Sequence, residues 1–251
     1  MAEYLSDEEQ VERLKGIVKT YGSSALMGVL IALIAFFSWR LWQKHEAKER
    51  DEAMIQYQHI NDEIISATND KAAQSRFISN VQALVKAHPE SIFALQALLL
   101  QAKVTAAQGE WAAAEKALSQ AVELKKQDAG YIALASVRLA RVQAAQNKLD
   151  AALATLAKVT EPAFLPSSDE LRGDILLQKN DIAGAKKAYS AAWDALAKRQ
   201  QPRELLKVKM NALGLTPADI APPSPVRESA AVASAAPVEP AAPTPDQGAA
   251  S

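Results

Sequence analysis

An all-α chain is predicted, built from one membrane-spanning helix, an array of helical hairpins and a disordered tail rich in Pro and Ala. Three observations carry this. Residues 20–39 hold no charge between Lys19 and Arg40, a six-residue turn pattern recurs three times further on, and the last 36 residues contain eight of the twelve prolines with eleven alanines. With 6% aromatic residues and only 9 Gly in 251, a turn-dense β chain is disfavoured. The absence of Cys excludes a disulfide framework, a thiolate metal site and a Cys nucleophile, while leaving the compartment open. A formal net charge of −1 argues against charge-driven nucleic-acid binding.

The run TYGSSALMGVLIALIAFFSW spans roughly 30 Å at the helical rise, the thickness of a bilayer's hydrocarbon core. A buried core helix seldom runs this long without a large polar residue. Tyr21 at one end and Trp39 with Trp42 at the other place amphipathic rings at head-group level, and Lys19, Arg40 and Lys44 can snorkel beyond them. A cleaved signal peptide would carry a short basic leader. Residues 1–19 instead hold five acids (Glu3, Asp7, Glu8, Glu9, Glu12) against three bases (Arg13, Lys15, Lys19), and no small-x-small site follows the run. The expectation is therefore an uncleaved anchor over 20–42. Its orientation is left open by the flanking charges, three Lys/Arg before the run and four just after it (Arg40, Lys44, Lys48, Arg50). Within the span Ser24, Gly28 and Ala32 form a stripe of small residues, a candidate surface for transmembrane helix packing.

Arg40 to Ile65 is charged, helix-favouring and free of Pro and Gly, so the membrane helix is expected to continue beyond the bilayer as one rod. His88-Pro89 should close a second helical stretch, because the residue before Pro is pushed out of the helical region. Then comes the repeat. Gly109-Glu110-Trp111-Ala112-Ala113-Ala114, Asn147-Lys148-Leu149-Asp150-Ala151-Ala152 and Asn180-Asp181-Ile182-Ala183-Gly184-Ala185 are spaced by 38 and 33 residues. Gly and Asn enter the left-handed conformation most cheaply, which ends one helix and turns the chain into the next. The large apolar third residue (Trp111, Leu149, Ile182) is expected to plug the open end of the hairpin. The closing Ala should let the second helix approach the first. Ala102, Ala140 and Gly173 lie seven positions before each turn residue, two turns back along the first helix.

Helix-turn-helix repeats of this period point to a tetratricopeptide-like solenoid. The third copy, LRGDILLQKNDIAGAKKAY, matches best, with Gly173, Asn180, Ala185 and Tyr189 at signature positions. The first two are degenerate, with Thr105 and Gln143 where an aromatic is expected. In such arrays the first helix of each hairpin lines the concave face. The tetratricopeptide pattern places ligand contacts there at Leu99, Lys103, Ala106 and Ala107 in the first copy and at Val137, Arg141, Ala144 and Ala145 in the second. One cation per copy beside small and aliphatic residues suits an apolar segment with acidic flanks. The opposing reading is that Leu99 and Val137 are core.

No catalytic or cofactor-binding signature is present, and no metal site is expected. His45 and His59 are about 21 Å apart along a helix, and His59 with Glu63 is an i,i+4 surface pair. An enzyme is not expected.

The order of these parts resembles one family, the ancillary SecYEG translocon subunits of Gram-negative bacteria. The resemblance covers residues 1 to 215: the acidic N-tail, the span ending SWRLWQKHEA, the stretches SVRLARVQAAQNKLDAALATL and DELRGDILLQKNDIAGAKKAY, and the closing VKMNALG. It implies a cytoplasmic N-tail (1–19), a single-pass inner-membrane helix (20–42) and a periplasmic tetratricopeptide-like domain (43–215). It also implies an adaptor that associates with the Sec translocon and with a membrane-anchored periplasmic chaperone, passing exported chains onward. The tail (216–251) has no counterpart in that pattern; its composition cannot recover ordering entropy by burial, so disorder with polyproline-II character is expected. The alternative function is a structural envelope protein whose repeats self-associate or brace a membrane complex.

Overall fold

A computed structural model describes the backbone of residues 7–220; side chains are described at 11, 15, 19, 26–28 and 30–220. The end of the N-tail, the Ser24 and Tyr21 side chains and the Pro/Ala-rich segment beyond Ile220 lie outside the described residues. Within them the chain is helical throughout, with no strand.

The first helix, α1 (Asp7–Asp62), runs unbroken through the apolar segment and on to the first packed residues. None of the apolar 18-residue stretch is buried, and Leu26, Ile31, Ile34, Phe36 and Phe37 are all exposed. Leaving this much apolar surface in water is strongly unfavourable, so its length and composition suit a membrane span. At its far end the character of α1 changes. Ala53 and Ile60 are fully buried and Tyr57 is half-buried, an i, i+4, i+7 stripe that packs into the core of the repeat domain. The rod expected from the sequence is thus welded to the domain it carries.

A break at Glu63 leads to a short helix, α2 (Ile64–Asn69), and then to α3 (Lys71–Ala87). The Asp70 side chain caps α3 by accepting from the backbone N–H groups of Ala72 and Ala73 at 3.0 and 3.3 Å. It ends at His88, before Pro89, as the sequence predicts.

Three hairpins follow: α4 (Ile92–Ala107) with α5 (Trp111–Glu123), α6 (Ala129–Ala145) with α7 (Leu149–Leu156), and α8 (Leu165–Gln178) with α9 (Ile182–Ala197). A closing helix, α10 (Glu204–Ala212), packs on α9. The three turn residues all have positive φ: Gly109 at 76°, Asn147 at 60° and Asn180 at 61°. In each, the N–H of the next residue reaches back five positions at 2.9 Å, Glu110 to the Thr105 carbonyl, Lys148 to Gln143 and Asp181 to Leu176. This is the Schellman closure that satisfies the carbonyls orphaned at a helix end. Gln200 and Gly214 end α9 and α10 in the same way, at φ 54° and 73°.

The small residues of the pattern do what the spacing requires. Ala114, Ala152 and Ala185 are fully buried, as is Ala140, and Ala102 is nearly so. A Cβ added at Gly173 would collide with the Tyr189 ring, so Gly here makes room for the largest fully buried side chain among the described residues. At the positions equivalent to Tyr189 the first two copies have Leu118 and Leu156, which share a core with Ala102 and Ala140 respectively. One expectation is corrected. Trp111 and Ile182 are 40% and 55% exposed, and only Leu149 is half-buried against its neighbours. As first residues of their helices they project outward past the turn and do not plug the hairpin.

Candidate partner-binding surface

The stripe expected to bind a partner divides in two. Leu99 and Val137 are buried, at 6% and 4% exposure, Leu99 in the core shared by α1, α3, α4, α5 and part of α6, and Val137 in the core of α6 to α8. Lys103, Ala107, Arg141 and Ala145 are exposed, with Ala106 and Ala144 half-buried between. An i, i+4, i+7, i+8 stripe is wide enough to wrap from the core face to the solvent face, which accounts for the split.

The solvent face itself follows a 3,4 spacing. On α6 it comprises Tyr131, Arg138, Arg141 and Ala145, all exposed, with Leu134 half-buried; on α4 only Lys103 and Ala107 of the equivalent positions are exposed, Phe93, Gln96 and Leu100 being half-buried with Phe93 against Tyr57 of α1. Sequence reasoning missed Tyr131 and Arg138, although the same helical period shifted by one position would have found them. Lys103, Arg138 and Arg141 have no ion-pair partner among the described residues. Helices α4 and α6 touch, so the two rungs are neighbours.

In the third copy the corresponding positions are acidic and already engaged. Glu170 and Asp174 stand where α6 has Val137 and Arg141. Lys209 of α10 reaches Glu170 Oε1 at 2.9 Å and Asp174 Oδ1 at 2.8 Å, Arg203 reaches Glu170 Oε2 at 2.6 Å, and the Tyr189 hydroxyl donates to Asp174 Oδ1 at 2.7 Å. Burial pushes the Glu170 carboxyl up, but the hydrogen bonds from Lys209 and Arg203 outweigh it and hold the group below its ordinary range. Burial likewise pushes Lys209 down, and the Asp174 and Glu170 carboxylates carry it above its ordinary value. Tyr189 is raised well above a free phenol by burial first and then by Asp174. The closing helix therefore caps the array at its third rung, leaving the cationic stripe of α4 and α6 accessible.

Between the first two hairpins lies a polar joint: Glu115 accepts from Lys148 at 2.6 Å and from Gln146 at 2.8 Å, and Thr155 donates to the Gln143 side chain at 2.8 Å. Gln143, read from the sequence as a departure from an expected aromatic, is this joint's centre. At the membrane-proximal end, the fold brings together Glu49, Glu52 and His88, residues that sequence spacing gave no reason to associate.

The comparisons with known proteins agree with this architecture. The tetratricopeptide repeat-like domain family matches residues 15–215. The chain is 30% identical over 213 residues to the ancillary SecYEG translocon subunit of Haemophilus influenzae, covering 85% of this chain and 100% of that protein. It is 29% identical to the proteins of that name from Neisseria gonorrhoeae and Escherichia coli, over 85% and 84% of this chain and 100% and 98% of theirs. No solved structure matches significantly. An apolar helix fused to three tetratricopeptide-like hairpins, matched over nearly the full length of these relatives, means that the chain belongs to the ancillary SecYEG translocon subunit family.

Proposed function

We propose that this chain is an inner-membrane-anchored adaptor that associates with the Sec translocon and passes exported chains to a membrane-anchored periplasmic chaperone. In this reading residues 1–19 are cytoplasmic, 20–42 span the membrane, 43–215 form the periplasmic repeat domain and 216–251 are a tail. The translocon association is carried over from the names of the relatives. The chain acts by binding, without catalysis. The observation that supports this best is the unbroken α1, which joins an exposed apolar segment directly to Ala53 and Ile60 in the core of a repeat array. Such an arrangement holds a binding surface at a membrane complex.

The partner contacts proposed are Lys103 and Arg141 with Ala107 and Ala145, flanked by half-buried Ala106 and Ala144, with Leu99 and Val137 supporting them from the core. In the span, Ser24, Gly28 and Ala32 are proposed to pack against a translocon helix. Copurification in native detergent tests both. The wild type should recover translocon and chaperone components. Lys103→Glu with Arg141→Glu should lose the chaperone at unchanged Tm, since both side chains are exposed, and Gly28→Leu should weaken translocon recovery while the protein stays in the membrane. Recovery of this chain alone would favour the bracing role instead.

A further inference from the structure

We infer that Glu49, Glu52 and His88 form a binding site for a nitrogen-preferring divalent cation of the zinc class, which staples the membrane stalk to the repeat domain. Glu49 and Glu52 are i,i+3 neighbours on α1 and share a helix face. His88 arrives from the end of α3, and one ligand atom from each of the three lies within 4.8 Å of the others. The imidazole is held in place from several sides. His88 caps α3, its backbone N–H donates to the Leu84 carbonyl at 2.9 Å, Pro89 follows it, and its side chain is only 8% exposed.

The donor chemistry selects the ion. Two carboxylate oxygens and one imidazole nitrogen balance a charge of +2 and leave a fourth tetrahedral position for water. Calcium and magnesium prefer six or more oxygens and would find too few here. A cavity of about 670 Å³ adjoins Glu49 and His88, lined also by Trp42, Glu46 and Lys126, and gives a hydrated ion a way in to two of the three ligands. His88 Nδ1 lies 2.9 Å from Glu49 Oε2. A metal ion binds the neutral form of Nδ1, any proton there leaving to solvent, and makes an N–M–O bridge that needs only a small opening of this contact. The competing contact is weak: Lys48 lies 3.5 Å from Glu52 Oε1, with the two side chains 75% and 47% exposed.

The consequence is mechanical. Glu49 lies seven residues beyond Trp42, about 10 Å along the helix, so the staple fixes the repeat domain close to where the span ends.

The test uses the full chain in detergent, titrated with zinc chloride by calorimetry and followed by thermal melting. The wild type should bind one zinc and melt higher in its presence. Glu52→Gln removes a ligand whose only ion-pair partner among the described residues is the surface Lys48, so its zinc-free Tm should match the wild type while zinc affinity falls tenfold or more. His88→Gln, which keeps a polar side chain facing Glu49, should lose the zinc-dependent rise in Tm. His59→Gln, in the surface pair with Glu63 at 3.5 Å, should leave the response unchanged. Zinc binding by Glu52→Gln and His88→Gln equal to that of the wild type would overturn the site and leave only the polar contact between His88 and Glu49. An equal response to calcium would overturn the assignment of the metal class.

Discussion

Asn180 has φ 61° and an exposed side chain, so a substitution there reads backbone strain with little packing change. Asn180→Gly should be neutral or mildly stabilising, while Asn180→Val should lower stability by about 1 kcal/mol through Cβ crowding in the left-handed region. Chemical denaturation of the two variants measures this, and equal stabilities would mean that the turn does not depend on the left-handed residue. The turn residues were legible because their requirement is local: few residues tolerate positive φ, and they recur at a fixed offset from the buried Ala. Trp111 and Ile182 were misjudged for the complementary reason. Being large and apolar says that a residue gains from burial, but at the first position of a helix the direction of the side chain is set by the turn geometry. Leu99 and Val137 take the core alternative that the sequence offered beside the contact pattern, since a pattern shared across an array does not say which helices cover it in this chain.

Helix α10 is held by charge as well as by the burial of Leu206 and Met210. Its anchoring should depend on pH in both directions. Glu170 titrates below its ordinary 4.5 in the folded protein, so its contribution is present at neutral pH and is lost as pH falls through that lowered value. Lys209 is raised above 10.5 and Tyr189 above 10.0, so the folded state holds these protons more tightly; their contributions are complete below pH 10 and fade as pH rises through the raised values. Hydrogen exchange resolved by segment should therefore show residues 204–212 losing protection before α4 and α5 on both the acid and the alkaline side. Loss of α10 only together with the whole domain would show that its apolar contacts suffice. This network was not legible in the sequence. Lys209 lies 35 residues from Asp174, and nothing in a repeat pattern says that the third copy exchanges cations for acids because a closing helix supplies the cations.

At the scale of the molecule, the span and the array were readable separately, one from the composition of residues 20–39 and the other from a recurring turn. Their rigid connection was readable only in part. The absence of Pro and Gly from Arg40 to Ile65 indicated a continuous helix, but the burial of Ala53 and Ile60 and the approach of His88 to Glu49 depend on how α3 packs against α1. From Trp42 to Ala53 is eleven residues, about 16 Å, so the domain sits near the membrane on whichever side α1 emerges. That side is the periplasm in the proposed function, and the nearly balanced flanking cations give it no independent support. Trypsin added to intact spheroplasts tests it. Lys125 and Lys126 lie in the connection between α5 and α6, both exposed, with Lys126 73% exposed even in its pair with Glu90, so the folded domain offers a cleavable bond. A periplasmic domain should be cut in intact spheroplasts. Cleavage only after lysis would place the domain in the cytoplasm and remove the handover to a periplasmic chaperone, because compact folding alone cannot hide that connection from the protease.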